Sequence, residues 1–270
     1  MLLLLKPVLH HKAVPYFTYF FLFTVLICFL PGYVIAQNDT GNSSKATNFP
    51  DDKFEIGLSG GLSLNRFTKD QPQTGFNTGF VAGALIKYKI YKLLSLQLEA
   101  NVLQQGGQMI RFKDDTRYGL PEGFNNQNVK NSSYILNSIE IPVLLNYTFK
   151  IKQTWKPALY AGGSYAYTFN VTETYQKTGN LLPGEDIIAT VNGSQNATGA
   201  FNSSRLNFIV GANVKLPLYA TLKLLLDFRY LSGLTAARDN YSYMEKVGFG
   251  SDIFTNSFVT KIGLILPLAN

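Results

Sequence analysis

Alternating apolar and polar residues dominate the stretch from Tyr134 to Phe149, which reads YILNSIEIPVLLNYTF. Apart from Asn137, its odd-numbered positions are apolar: Ile135, Ile139, Ile141, Val143, Leu145, Tyr147 and Phe149. Because successive side chains of a β-strand point to opposite faces, this alternation predicts a strand with one apolar face. The stretch has 16 residues, whereas an ordinary globular strand has about five or six. Such length, with apolar and polar faces, favours the wall of a transmembrane barrel.

Pro142 lies in the middle of this predicted strand. Proline has no backbone N–H, so one hydrogen bond of the strand ladder must be missing there. A β-bulge at Pro142 is the simplest expectation.

The same alternation recurs in seven more stretches, so the sequence predicts eight strands. In chain order they cover residues 54–66, 78–90, 93–109, 134–149, 156–172, 204–216, 220–231 and 255–268. Each has at least the roughly 9–11 tilted residues that a strand needs to cross a bilayer. We therefore expect an all-β fold, an eight-stranded antiparallel up-and-down transmembrane barrel that occupies residues 53–268.

The connections between these strands alternate in length. Short turns are predicted around residues 91–92, 150–155 and 217–219, and long loops at 67–77, 110–132, 173–203 and 232–254. Short periplasmic turns opposite long external loops are typical of outer-membrane barrels. A soluble β-sandwich is the alternative, but its strands would be shorter and its long loops would not share one end. An even strand number places both termini on the periplasmic side.

Residues 1–36 have the features of an export signal. Lys6 and Lys12 precede an unbroken apolar run at 16–29, and the small residue Ala36 ends the segment. This pattern predicts a cleaved signal peptide, in preference to a transmembrane anchor. Residues 37–52 are polar and without periodicity, which predicts a flexible N-terminal segment.

Removal of the signal peptide would change the chemistry of the chain. Cys28, His10 and His11 would all leave with it, so the mature protein would contain neither a thiol nor an imidazole. Disulfides, thiolate metal sites and histidine bases are then excluded. The sequence also has no G-x-S-x-G or HExxH element. We therefore predict no enzyme activity, no metal and no cofactor.

The net charge of the mature chain is modest. The whole chain has 24 basic and 17 acidic residues; without Lys6 and Lys12 the basic count is 22, which leaves +5. These charges are scattered along the chain, whereas a nucleic-acid site requires a clustered basic patch. The expected partners are outer-membrane lipid and other envelope proteins, and not nucleic acid.

Several motifs resemble a known family. Residues 139–145, IEIPVLL, are followed by Tyr147-Thr148-Phe149, and similar matches are LEANVLQQGG at 98–107, LYAGG at 159–163 and LDFRY at 226–230. Together with GLSGGL at 57–62, they resemble the PorT-like outer-membrane β-barrel proteins of Bacteroidetes. The resemblance implies an outer-membrane barrel. It also suggests a link to protein secretion, because the family's namesake takes part in type IX secretion.

Charged residues occupy the faces opposite the apolar ones, so they are expected inside the barrel. The predicted interior charge network consists of Glu99, Glu140, Lys223, Asp227, Arg229 and Lys261. A barrel of about eight strands is just wide enough to be filled by its own side chains. Buried acids and bases must pair or be very costly. We expect a structural or interaction barrel with a filled interior; a narrow porin for small solutes and an unidentified ligand site are the alternatives.

Overall fold

The computed structural model describes residues 53–68, 75–108, 129–151, 155–180, 188–219, 221–239 and 251–268. The predicted signal peptide (1–36) and N-terminal segment (37–52) lie outside these residues. Nine strands are described: β1 (Phe54–Phe67), β2 (Asn77–Lys89), β3 (Leu94–Gln108), β4 (Val129–Thr148), β5 (Lys156–Asn180), β6 (Ile188–Asn196), β7 (Ser204–Tyr219), β8 (Leu222–Gly233) and β9 (Thr255–Leu268).

All neighbouring strands pair antiparallel, and eight of the nine form a closed barrel. The order is β4-β3-β2-β1-β9-β8-β7-β5, and pairing of β4 with β5 closes the ring. Strand β6 pairs with the last part of β5 and lies outside the ring. The predicted eight-stranded antiparallel barrel is therefore confirmed.

The short and long connections lie at opposite ends, as predicted. Four residues separate β2 from β3, seven separate β4 from β5, and two separate β7 from β8. We call this end of the barrel the turn end. The longer connections after β1, β3, β5 and β8 define the opposite, loop end.

The outward face of the barrel is apolar and carries aromatic residues near both ends. At the turn end the rings of Phe54 and Tyr88 lie 4.8 Å apart, and towards the loop end those of Tyr230 and Phe258 also lie 4.8 Å apart. On β1, Leu64 is paired with Phe258, ten residues beyond Phe54. At about 3.3 Å per residue and a tilt of about 40°, the two aromatic levels are roughly 25 Å apart. This distance matches the apolar band of a membrane barrel.

The predicted loop at residues 173–203 is wrong. Strand β5 has 25 residues and continues to Asn180, and β6 returns beside it from Ile188. The start of β4 also pairs with this part of β5. A three-stranded extension of β4, β5 and β6 thus continues past the barrel wall at the loop end. A short 3-10 turn, Thr198–Ala200, leads from β6 towards β7.

The predicted bulge at Pro142 is also wrong. Pairing of β4 with β5 keeps one register from Ser138 to Thr148, and Pro142 lies opposite Ser164 within it. The register shifts instead between Asn137 and Ser138 of β4. At this point Phe169 of β5 has no pairing partner in β4. Beyond Phe169 the inward side chains of β5 change from even to odd numbers, because one extra residue reverses the alternation.

Apolar and polar layers alternate along the barrel interior. From the turn end to the loop end, the inward residues of β9 and the segment before it are Ile265, Gly263, Lys261, Val259, Ser257, Thr255 and Ile253. Ile265, Val259 and Ile253 belong to three separate apolar clusters. Apolar side chains therefore contact one another at three levels of the interior.

The apolar cluster nearest the loop end contains three aromatic side chains, Phe67, Tyr134 and Phe201. The ring of Phe201, from the segment after the 3-10 turn, lies 6.2 Å from that of Phe67 and 5.2 Å from that of Tyr134. An antiparallel bridge between Arg238 and Ile253 joins the two described parts of the β8–β9 connection. Within the described residues, no helix is both long and apolar enough to cross a membrane.

Candidate functional site

The middle of the barrel contains a buried cluster of two acids and two bases: Glu99, Asp227, Arg229 and Lys261. We call it the central ion cluster. Arg229 donates to Glu99 through Nη1 at 3.0 Å and Nη2 at 2.8 Å. It also donates to Asp227 through Nε at 3.0 Å and Nη2 at 2.9 Å. Lys261 Nζ adds a bond to Glu99 Oε2 at 2.8 Å.

These bonds cross the lumen. Glu99 lies on β3, whereas Arg229 and Lys261 lie on β8 and β9, and strands β1 and β2 separate β3 from β9. Side chains along each strand point alternately inward and outward. On β8, for example, Asp227 and Arg229 point inward and Phe228 between them points outward. The formal charges of the cluster sum to zero, and its side chains are buried. The set of ion pairs is therefore formally neutral and crosses the lumen.

Neutral side chains complete the central ion cluster. Glu99 also accepts hydrogen bonds from Gln97 Nε2 at 2.5 Å and Asn101 Nδ2 at 2.9 Å. The hydroxyl of Tyr160 donates to Asp227 Oδ1 at 2.8 Å. A buried charge is tolerable when its remaining hydrogen-bonding capacity is satisfied in this way.

Gly211 makes room for the ring of Tyr160. A Cβ atom at this position would lie 2.4 Å from both Cζ and Oη of Tyr160. The guanidinium of Arg229 lies 5.5 Å from the centre of the same ring. The missing side chain thus allows Tyr160 to reach Asp227 while its ring contacts the cation.

Glu140 belongs to a separate polar layer nearer the loop end. Its carboxylate accepts a hydrogen bond from Ser164 at 2.6 Å, and Ser164 in turn accepts one from Asn207 at 3.1 Å. Among the residues that the structure describes, Glu140 has no ion-pair partner. Its neighbour on β3 is Asn101, two residues beyond Glu99, so its side chain enters the barrel one row away from the central cluster.

Arg205 is the cation of this second layer, and its partners are hydroxyl groups. It donates to Thr168 at 3.2 Å, Thr255 at 3.1 Å and Ser138 at 2.9 Å. Ala166 on β5 is the pairing partner of Glu140 on β4 and also of Arg205 on β7. The two charges therefore share one level of the barrel, although no salt bridge joins them.

Lys223 lies in a third group, at the turn end. Its Nζ is 3.0 Å from Oε1 of Glu55, and Lys215 forms an ion pair with the other carboxylate oxygen. Lys87 lies in the same region and donates to Asn146 Oδ1 at 3.2 Å. The structure therefore brings together four of the six predicted residues, Glu99, Asp227, Arg229 and Lys261, and places Glu140 and Lys223 in neighbouring groups.

The sequence reasoning missed Glu55, Lys87 and Tyr160 as interior residues. Glu55 stands between outward Phe54 and Ile56, so the alternation contained the signal for it. Lys87 has the same relation to its neighbours on β2. Tyr160 is harder to recognise, because an aromatic residue in a membrane strand is equally compatible with the lipid face. No group of metal-ligating side chains occurs in the described part of the chain.

A family model described as outer membrane protein beta-barrel domain matches residues 35–238. The chain belongs to this family. As an outer-membrane barrel it lies in the lipid of that membrane, with the apolar face described above in contact with the acyl chains. A search of curated proteins finds no significant match.

Solved structures of other outer-membrane barrels are similar to this chain. Neisserial surface protein A is 15% identical with a TM-score of 0.39, over 80% of this chain and 97% of that one. OprG from Pseudomonas aeruginosa is 12% identical with a TM-score of 0.42, over 81% and 98%. The outer membrane protease OmpT from Escherichia coli is 10% identical with a TM-score of 0.41, over 84% and 100%.

Proposed function

We propose that this protein is a non-conducting, non-enzymatic barrel that serves as a structural or interaction component of the outer membrane. The observation that carries the proposal is the set of ion pairs that crosses the lumen from Glu99 to Arg229 and Lys261. Apolar layers lie on either side of this cluster along β8, at Leu225 and Leu231. An ion would have to break buried pairs and pass between apolar side chains without hydrogen-bonding partners, which is very costly.

The loop end offers the surface for partners. The extension of β4, β5 and β6 rises past the wall there, and the side chains of β6 alternate between exposed and half-buried. Exposed strands with polar composition are suited to contacts with other envelope proteins, for which backbone hydrogen bonds provide part of the affinity. The proposal includes export by the signal peptide 1–36 and both termini in the periplasm, so that the loop end faces outward.

A contribution to protein secretion is the finer form of this proposal. Its support is the resemblance of residues 139–149 and the other motifs to PorT-like proteins. Absence of histidine and cysteine from the described residues supports the non-enzymatic part, because those side chains are common nucleophiles and bases. Deletion of the gene in its native host should then reduce the amount of secreted protein in the medium, while an unaltered secretome would remove the secretion link.

Single-channel recording in planar bilayers tests the central claim. We expect the purified wild-type barrel to give no discrete conductance steps. A double variant, Arg229→Ala with Lys261→Ala, removes both cations that cross the lumen and should introduce conductance if it stays folded. Discrete steps from the wild-type protein would overturn the proposal and favour the alternative, a narrow porin for small solutes.

A further inference from the structure

Lysine side chains surround a cavity at the turn end of the barrel. The cavity has a volume of about 200 Å³. Its charged lining residues are eight lysines and one glutamate: Lys53, Lys87, Lys89, Lys92, Lys150, Lys156, Lys215, Lys223 and Glu55. We call this feature the lysine vestibule. Neither the central ion cluster nor the proposed scaffold role requires it.

The inner part of the lysine vestibule has more positive than negative charge. Glu55 is shared by Lys215 and Lys223, so one carboxylate serves two ammonium groups. Lys87 is 4% exposed and donates to the neutral oxygen of Asn146. The formal charges of these three lysines and Glu55 sum to +2. Like charges held together away from bulk water repel one another strongly, and an anion would relieve that repulsion.

The outer part of the vestibule is formed by two turns. Lys92 lies in the β2–β3 connection and Lys150 in the β4–β5 connection, and both are exposed. Leu93, Phe149 and Ile151 provide an apolar part of the wall. Anions that approach the turn end would therefore meet the exposed ammonium groups of Lys92 and Lys150 before they reach Lys87, which favours rapid capture.

We propose that the lysine vestibule binds a phosphate-bearing anion. Lysine binds phosphate as a point charge with three donors, and several lysines can surround one multiply charged phosphate group. The described lining residues include no arginine. A volume of about 200 Å³ is several times the roughly 30 Å³ of one water molecule and is sufficient for a phosphate or a pyrophosphate group. The phosphate could belong to a soluble compound or to the headgroup of a membrane lipid.

Calorimetric titration of the full barrel in detergent with pyrophosphate tests this proposal. Ionic strength is held constant with sodium chloride, because exposed charge interactions are screened by salt. We expect saturable binding to the wild-type protein and at least a tenfold loss of affinity in Lys87→Gln. The matched control is Arg66→Gln, which removes one positive charge at the loop end and should bind as the wild type does. If Lys87→Gln fails to fold, the exposed pair Lys92→Gln and Lys150→Gln should still weaken binding severalfold.

Lipid discs distinguish the two sources of phosphate. In discs of phosphatidylglycerol, retained pyrophosphate binding would indicate a soluble ligand. A lipid headgroup would be indicated by two results together. Pyrophosphate binding would be lost in phosphatidylglycerol discs and kept in phosphatidylcholine discs. An anionic lipid would also co-purify with the wild type and not with Lys87→Gln. Absence of saturable binding in detergent would overturn the proposal. Equal affinities of the wild type, the vestibule variants and Arg66→Gln would also overturn it.

Discussion

Replacement of Arg229 by alanine should destabilise the barrel strongly. Arg229 makes four hydrogen bonds, between 2.8 and 3.0 Å long, to two buried carboxylates. Without it Glu99 still has Lys261, but Asp227 has only the hydroxyl of Tyr160. Removal of one partner from a buried ion pair costs about 3–5 kcal/mol. The equilibrium constant for unfolding should thus increase by a factor between roughly one hundred and several thousand.

Guanidinium unfolding of the barrel in lipid vesicles measures this cost, with the fluorescence of Trp155, the single tryptophan, as the signal. The control is Arg66→Ala at the loop end. Arg66 lies over the ring of Phe76 at 5.5 Å and is half-buried, so its loss should cost about 1 kcal/mol or less. Adding Asp227→Asn to Arg229→Ala should recover part of the lost stability, because the amide carries no charge that needs a partner.

Two outcomes would refute this reasoning. If the free energies of unfolding of Arg229→Ala and Arg66→Ala differ by less than about 1 kcal/mol, the buried ion pairs do not stabilise the barrel. If stability is unchanged while a measurable pore alters its ion selectivity, the cluster lines a conducting path. The proposal of a non-conducting barrel would then fail as well.

Three further predictions concern the cluster, the membrane and the orientation. Gly211→Ala should cost about 1–3 kcal/mol in the same unfolding assay, because the new Cβ collides with Tyr160, whereas Gly163→Ala at an outward position with its nearest neighbour at 3.5 Å should cost less. In outer-membrane fractions the protein should migrate differently on gels before and after boiling; a soluble periplasmic protein without this shift would contradict the localisation. Epitope tags within 110–128 should be accessible on whole cells and a tag near Tyr91 should not, and the reverse pattern would invert the orientation.

The inward direction of the side chains in the central ion cluster could be predicted from the sequence. Glu99, Asp227 and Arg229 stand between apolar neighbours, Lys261 stands between Thr260 and Ile262, and alternation along a strand is a local property of the backbone. Within a strand without a register shift, this pattern assigns a side chain to the lumen or to the lipid. The number of barrel strands follows from the same pattern.

The partners of those side chains could not be predicted. They depend on the register between strands, which the alternation within one strand does not specify. Glu140 is paired with Asn101 and therefore enters the barrel beside Ser164, a row away from Glu99. Lys223 is four residues from Asp227 along β8 and meets Glu55 instead.

The extra strand β6 was missed for a different reason. Its sequence, IATVNGSQN, is polar after the first few residues and has no apolar face, because neither side is buried against lipid or core. Its conformation comes from pairing with β5. The reversal at Phe169 was missed because a single unpaired residue changes no composition and is detectable only from the pairing itself.

The cross-lumen bonds also constrain how the barrel assembles. Arg229 and Lys261 are separated from Glu99 by 130 and 162 residues along the chain. Contacts between such distant residues form late, since much of the chain must first be ordered. Until β8 and β9 face β3, Glu99 lacks both of its cations, whereas Arg229 already has Asp227 on its own strand. Ring closure and the pairing of Glu99 with its cations therefore occur together. A barrel with one strand displaced would be destabilised, because it would bury charged side chains without partners.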